Sequence, residues 1–234
     1  ASSGIRAALA EILLAQGHFL AVSARNAKAL EKLQTDHPQQ VLLLPGDLTD
    51  PSQVQAMGER IEQVWGHLDQ VILNAGTCEY LDAGRFEANM IERVMRANLF
   101  SAAYCVEAAL PLLRKAARPH LVAVCSSVTY LPLPRAGAYG ASKAALDSIT
   151  RVSALELGKY NIRVNAVNPT VVMTPMSAWY WGRDDIGGPF LEQMPLGRWA
   201  TEAEIAAPIV FLLSDAASMI TGVSLPIDGG YSSR

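Results

Sequence analysis

Apolar residues at Ile5, Ala8, Leu9, Ile12, Leu13 and Ala15 recur at helical spacing up to Gly17, and the short run at 19–23 that follows predicts a buried strand. The same alternation continues along the chain. Helical periods at 26–34, 50–65, 88–117, 138–160 and 202–214 are separated by apolar runs at 41–47, 68–76, 120–127, 162–169 and 224–228. Asp50 followed by Pro51 marks the start of the third helix, as N-cap and first helical residue. Strands that are apolar throughout rather than alternating, each separated from the next by a helix, predict a mostly parallel sheet covered on both faces, a doubly wound α/β fold. No repeat, low-complexity run or Pro/Gly-rich linker divides the chain, so one domain over 1–234 is expected. The stretch 175–195 breaks the pattern. It is irregular and carries Trp, Gly and Pro, which predicts a lid-like insertion, with an oligomer contact as the alternative.

Composition narrows the function classes. A net charge of −3 and a pI near 5.8, without a run of Lys or Arg, argue against a nucleic-acid surface or a polybasic membrane anchor. Small molecules and copies of the chain itself are the partners left. Cys78, Cys105 and Cys125 fit neither a disulfide framework nor a zinc cluster, and the four histidines lack metal-binding spacing, so a reducing cytoplasmic location and no metal are expected. No apolar run is long enough to span a membrane and no leader pattern is present.

In an open α/β sheet, ligands bind beyond the carboxyl ends of the strands. The polar residues at those ends are Arg25, Asp47, Asn74-Ala75-Gly76, Ser126-Ser127 and Asn168-Pro169-Thr170. Tyr139 and Lys143, at i and i+4 on the helix after the serine pair, share one helical face. An ammonium beside a phenol lowers the phenol pKa, and a serine hydroxyl can donate to an oxygen on which charge is gathering. The set suits carbonyl reduction. Seven tyrosines and five lysines in a chain of this length would give the spacing by chance only about 0.15 times, so its surroundings carry the argument.

Those surroundings resemble the short-chain dehydrogenase/reductase family. "ASSGI" is similar to the end of that family's glycine turn, "LNAG" to its Asn-Asn-Ala-Gly, "RANLFSA" to its helix-asparagine segment, "CSS" to its serine strand and "VNAVNPTVVMT" to its Asn-Pro-Gly segment. Residues 195–230 resemble its C-terminal sequence nearly end to end, and "ALELGKYNIRVNAVNPTVVMT" with "PLGRW" looks most like the L-xylulose (dicarbonyl) reductase branch. The resemblance implies a Rossmann fold whose first strand, like the first glycine of the turn, is absent from the sequence as given, and in which Arg6 stands at the third glycine.

It also implies roles. Tyr139 becomes the acid/base, Lys143 its tuning charge and a ribose ligand, and Asn98 the holder of a water linking Lys143 to solvent. Spacing of thirteen residues before the tyrosine selects Ser126 as the catalytic serine, whereas position in the pair and distance from Asn98 select Ser127; Ser127 is the expectation. Ala24 stands where a family member that uses NAD usually has an aspartate, and Arg25 next to it favours the 2′-phosphate of NADP(H). The remaining cofactor positions implied are Ser3, Gly4, Ile5, Asp47, Leu48, Asn74, Ala75, Gly76, Thr170, Val172 and Thr174, with Trp181 over the substrate. The expected activity is NADP(H)-dependent hydride transfer with a small polar ketone, dicarbonyl or secondary alcohol, L-xylulose-like sugars leading. A 3-oxoacyl thioester or sugar-acid reductase, and a non-catalytic NADP(H)-binding sensor, are the alternatives. A homo-oligomer, tetramer or dimer, is expected through the alanine-rich helices.

Overall fold

The computed structural model describes residues 4–25, 28–85, 87–174 and 177–233. The chain divides into two compact units, one comprising Ala1–Gly46, Pro169–Phe211 and Pro226–Arg234, the other Asp47–Asn168 and Leu212–Leu225. The first contains α1 (Ile5–Ala15), β1 (Leu20–Val22), α2 (Lys28–Asp36) and β2 (Val41–Leu43), with β1 and β2 paired in parallel, Leu20 opposite Val41. Among the described residues α1 is the first element, with no strand before it.

The second unit begins with α3 (Pro51–Trp65), whose start and stop follow the sequence signals. Asp50 caps it, accepting from the Ser52 and Gln53 amides, and left-handed Gly66 closes it. The Ser52 hydroxyl and the Gln53 side-chain amide, more than those backbone bonds, hold the Asp50 carboxyl down at about 2. Next come β3 (Gln70–Leu73), α4 (Ala88–Met95), α5 (Ser101–Leu113), β4 (His120–Val124), α6 (Gly137–Leu157) and β5 (Arg163–Pro169). A second sheet has the order β3-β4-β5-β6, where β6 is Ser224–Ile227. β3, β4 and β5 are parallel, with Gln70, His120 and Arg163 in register at one end. Every residue of β4 and β5 is buried, as expected of strands covered on both faces. Leu113, Leu121, Ala123, Leu146, Val164 and Ala166 form the centre of that unit's core.

Two elements depart from the sequence reading. The helix expected over 88–117 is interrupted by a π turn at Arg96–Phe100, and this turn holds Asn98. Apolar spacing continues across the interruption, so periodicity hides it. The irregular stretch at 175–195 contains two short helices, α7 (Ala178–Trp181) and α8 (Asp184–Glu192), ahead of α9 (Glu202–Leu213). Among the described residues no helix is long and apolar enough to cross a membrane.

Candidate active site

In the second unit, α6 presents Tyr139 and Lys143 to the carboxyl end of β4. Tyr139 is half-buried, and Lys143 is buried, only 5% exposed. Its Nζ donates to the Val124 carbonyl at 2.8 Å and lies 5.9 Å from the centre of the Tyr139 ring. Among the described residues that carbonyl is its one hydrogen-bond acceptor, which leaves a buried three-proton donor with capacity for a ligand's hydroxyls.

Of the serine pair, Ser126 is the one whose side chain bears on the Tyr139 hydroxyl, drawing its pKa down. It is the first serine of the pair, whereas Ser127 was the expectation for the catalytic hydroxyl. Ser126 is extended and receives a long bond from the Val128 amide at 3.4 Å, whereas Ser127 opens a 3-10 turn over Ser127–Thr129. Burial pushes the Tyr139 hydroxyl well above the usual phenol range, against the Ser126 bond, which pulls it down. Burial likewise draws Lys143 below the usual ammonium range, opposed by the Cys125 and Cys78 thiols. Desolvation sets the direction of the phenol's shift, and the Lys143 ammonium, expected to lower the phenol, is not among its causes. A phenol held protonated in this way is a proton donor rather than a phenolate.

Asn98 is fully buried with its amide committed. Its Oδ1 accepts from the Thr77 amide at 2.7 Å, and its Nδ2 donates to the Thr77 carbonyl and to Ser142 Oγ, each at 2.9 Å. The side chain thus fastens the chain beyond β3 to α6, at the π turn. Asn74, Ala75 and Gly76 lead into this point, and a Cβ on Gly76 would lie 3.0 Å from Asn98 Oδ1 and 3.4 Å from Lys143 Nζ. No side chain larger than hydrogen fits there without displacing the site. Ser142 and Thr77 were not expected; a small serine inside the Tyr-Lys turn is the only signal the sequence offered for them. Asp47 binds Thr49 through its Oδ1 in the turn before α3, and Leu48 lies half-buried in the same turn.

In the first unit, Gly4 precedes α1 with φ 62° and ψ −151°, a conformation open to glycine, and a Cβ there would meet Thr174 Cγ2 at 3.2 Å. The first amides of α1, Ile5 among them, thus stand beside Thr174, as suits a phosphate. Thr170 is held by its amide on the Ile227 carbonyl, and its buried Oγ1 finds no partner among the described residues. Val172 bridges to Ala200. Arg25 is exposed just beyond β1, without a hydrogen bond or ion pair among the described residues. Ser3 lies outside the described residues. Trp181, expected over the substrate, is 6% exposed and packed against Phe190, Trp199 and Tyr180, while Trp179 is 66% exposed. The Trp181 ring is spent on fixing α7 and α8 to their surroundings.

In the first unit the orphaned Thr170 hydroxyl and the glycine before α1 suit a carboxamide and phosphates. In the second the under-used Lys143 ammonium suits ribose hydroxyls, beside a phenol and a serine that can serve a carbonyl oxygen. Each unit thus carries residues of the kinds a nucleotide-dependent oxidoreductase uses. The comparisons agree. Residues 1–232 match a family model described as enoyl-(acyl carrier protein) reductase. An NAD-dependent glycerol dehydrogenase of Listeria innocua is 31% identical over 231 residues, 99% of this chain and 91% of the relative. An L-xylulose reductase of Caenorhabditis elegans is 39% identical over 165 residues, 70% of this chain and 66% of the relative. The solved Pseudomonas aeruginosa RhlG/NADP active-site complex is 29% identical with a TM-score of 0.91, over 98% of this chain and 93% of that one. The chain belongs to the short-chain dehydrogenase/reductase family and is an oxidoreductase acting on CH–OH/C=O groups.

Proposed function

We propose that the protein is an NADP(H)-dependent reductase of small polyhydroxylated or dicarbonyl compounds, working also in the reverse, dehydrogenase direction. The observation that carries the chemistry is the Tyr139 hydroxyl beside Ser126, with Tyr139 one helical turn from the buried Lys143. A bound NADPH supplies the hydride that adds to the carbonyl carbon. Ser126 donates to the carbonyl oxygen, and Tyr139 passes its proton to that oxygen as the alkoxide forms, so the products are the alcohol and NADP⁺. Lys143 holds ribose hydroxyls and stabilises the tyrosinate left behind. Asn98 keeps the segment at Thr77 in place, and Asn74, Ala75, Asp47 and Leu48 are assigned to the adenosine side. Gly4 and Ile5 receive the phosphates, and Thr170, Val172 and Thr174 the carboxamide end.

The choice of NADP(H) rests on Arg25, an exposed guanidinium suited to a 2′-phosphate. The glycerol dehydrogenase relative is NAD-dependent by name, which makes the cofactor a point for measurement. Polyol and ketose chemistry in the names of both relatives supports a small hydroxylated substrate. The test is oxidation of NADPH, with NADH in parallel, by diacetyl and by L-xylulose, using Tyr139→Phe as control. Turnover with NADPH that vanishes in the variant is the expected result. NADPH binding without turnover on either carbonyl overturns the dicarbonyl assignment and leaves the thioester reductase or the sensor.

A further inference from the structure

A buried polar chain runs from α6 to the serine that bonds Tyr139, and all its members lie in the second unit. Asp147, one helical turn beyond Lys143, is 4% exposed. Its Oδ1 accepts from Ser224 Oγ at 2.5 Å and its Oδ2 pairs with Arg151 Nε at 3.0 Å. Ser224 Oγ in turn accepts from Asn168 Nδ2 at 2.6 Å, and Asn168 Oδ1 accepts from the Ser126 amide at 3.3 Å. The Ser126 amide is the first one past the β4 ladder, whose last rung is the Cys125 amide on the Val167 carbonyl. Where backbone pairing ends, a side chain takes over.

The direction of every bond in this chain follows from its far end. A carboxylate accepts only, so the single Ser224 proton is committed to Asp147, and only a donor can then approach the Ser224 oxygen. Asn168 must therefore turn its NH₂ toward Ser224, which leaves its oxygen facing the Ser126 N–H. An amide at 147 removes the constraint. The Ser224 hydroxyl can then point at Asn168, the Asn168 amide can reverse, and an NH₂ would face the Ser126 N–H, donor against donor. The bond to Ser126 is the longest in the chain and so the first to yield.

We propose that Asp147 is a positioning residue for Ser126, acting through Ser224 and Asn168. Its effect on rate rests on the reductase reading above; its effect on Ser126 does not. The test uses Asp147→Asn, Ser224→Ala and Ser224→Thr in the full chain, with two readouts. The first is the ¹⁵N–¹H resonance and solvent exchange of the Ser126 amide. The second is steady-state NADPH oxidation with diacetyl, together with NADPH affinity and Tm. In Asp147→Asn and Ser224→Ala the Ser126 amide should shift and exchange about tenfold faster, and kcat should fall about five- to tenfold with KM and NADPH Kd within about twofold. Ser224→Thr, which keeps the hydroxyl, should restore both readouts, and the double variant Asp147→Asn/Ser224→Ala should be no worse than the worse single one.

An unmoved Ser126 amide in Asp147→Asn and Ser224→Ala overturns the proposal. So does a loss of kcat that tracks KM, Kd and Tm together, because general destabilisation then explains it. If Asp147→Asn does not fold, the Ser224→Ala and Ser224→Thr pair decides alone. A wild-type chain that reduces no carbonyl, but whose Ser126 amide responds as described, sinks the reductase reading and leaves the positioning role standing.

Discussion

Replacing Ser126 and Ser127 by alanine, one at a time, separates a catalytic hydroxyl from a neighbouring one. Ser126 Oγ has two contacts, the Tyr139 hydroxyl and the Val128 amide at 3.4 Å. The second exceeds the usual hydrogen-bond length, so its loss costs folding well under about 1 kcal/mol. The first is a different matter. Tyr139 is half-buried, and its hydroxyl together with that of Ser126 is what a reacting carbonyl oxygen would meet. Loss of a donor aimed at a developing oxyanion lowers kcat by about 10²- to 10³-fold, equivalent to about 3–4 kcal/mol of barrier. Ser126→Ala should therefore lose activity on that scale while keeping NADPH affinity and a Tm within a few degrees. Ser127 serves the 3-10 turn mainly through its backbone, its carbonyl accepting from the Tyr130 and Leu131 amides at 3.3 and 3.0 Å, and alanine keeps those bonds. Ser127→Ala should stay within about threefold of wild type, a change of under 1 kcal/mol in barrier. The assay is steady-state NADPH oxidation at saturating carbonyl, with isothermal titration for the cofactor. A collapse of activity in Ser127→Ala with Ser126→Ala near wild type would refute the reasoning from the Tyr139 contact.

Arg25→Ala should raise the KM for NADPH about tenfold or more and leave that for NADH unchanged, since one charge-assisted contact to a phosphate is removed; equal effects on both cofactors would place Arg25 outside the 2′-phosphate site. Gly76→Ala should lower kcat and NADPH affinity together, because the new Cβ falls 3.0 Å from Asn98 Oδ1 and 3.4 Å from Lys143 Nζ; wild-type kinetics would mean the Asn98–Thr77 segment gives way freely. His120 is buried on β4, and its imidazole is drawn below the usual range by desolvation and then by Arg163, against the Pro119 backbone contact and the carboxylates of Asp215 and Asp69. A folded pKa below the unfolded one means the unfolded chain binds the proton first, so this stability is complete above about pH 6.5 and is lost as pH falls from there through the lowered folded value. Urea unfolding from pH 8 to 5 should show wild type losing more stability than His120→Phe; parallel curves would discount the histidine.

Why one part of this protein is readable in its sequence and another is not comes down to the range over which each signal acts. The start of α3 was legible because the Asp50 cap and Pro51 act on backbone groups within four residues of themselves. Buried parallel strands were legible for the same reason, since covering both faces of β4 and β5 demands apolar residues at every position, and the residues state it directly. Tyr139 and Lys143 share a helix, so their spacing alone puts them on one face. The π turn was illegible because inserting one residue into a helix leaves the apolar period almost intact, and its cause, the Asn98 amide gripping Thr77, spans 21 residues. The serine assignment failed to resolve in the same way. Counting along the chain measures contour length, but which hydroxyl reaches Tyr139 depends on how 125–130 leaves the sheet, where the Ser126 amide is bonded by Asn168 from 42 residues away. Trp181 was expected over the substrate because the family resemblance implies a tryptophan there; the aromatic residues it packs against, Phe190 and Trp199, are no less visible in the sequence, but their convergence is not. The residues that act on one another across long loops are therefore where a chemical reading must be tested atom by atom. In this chain that means the serine pair first, because the 42-residue contact that holds the Ser126 amide is also the one through which Asp147 is proposed to act.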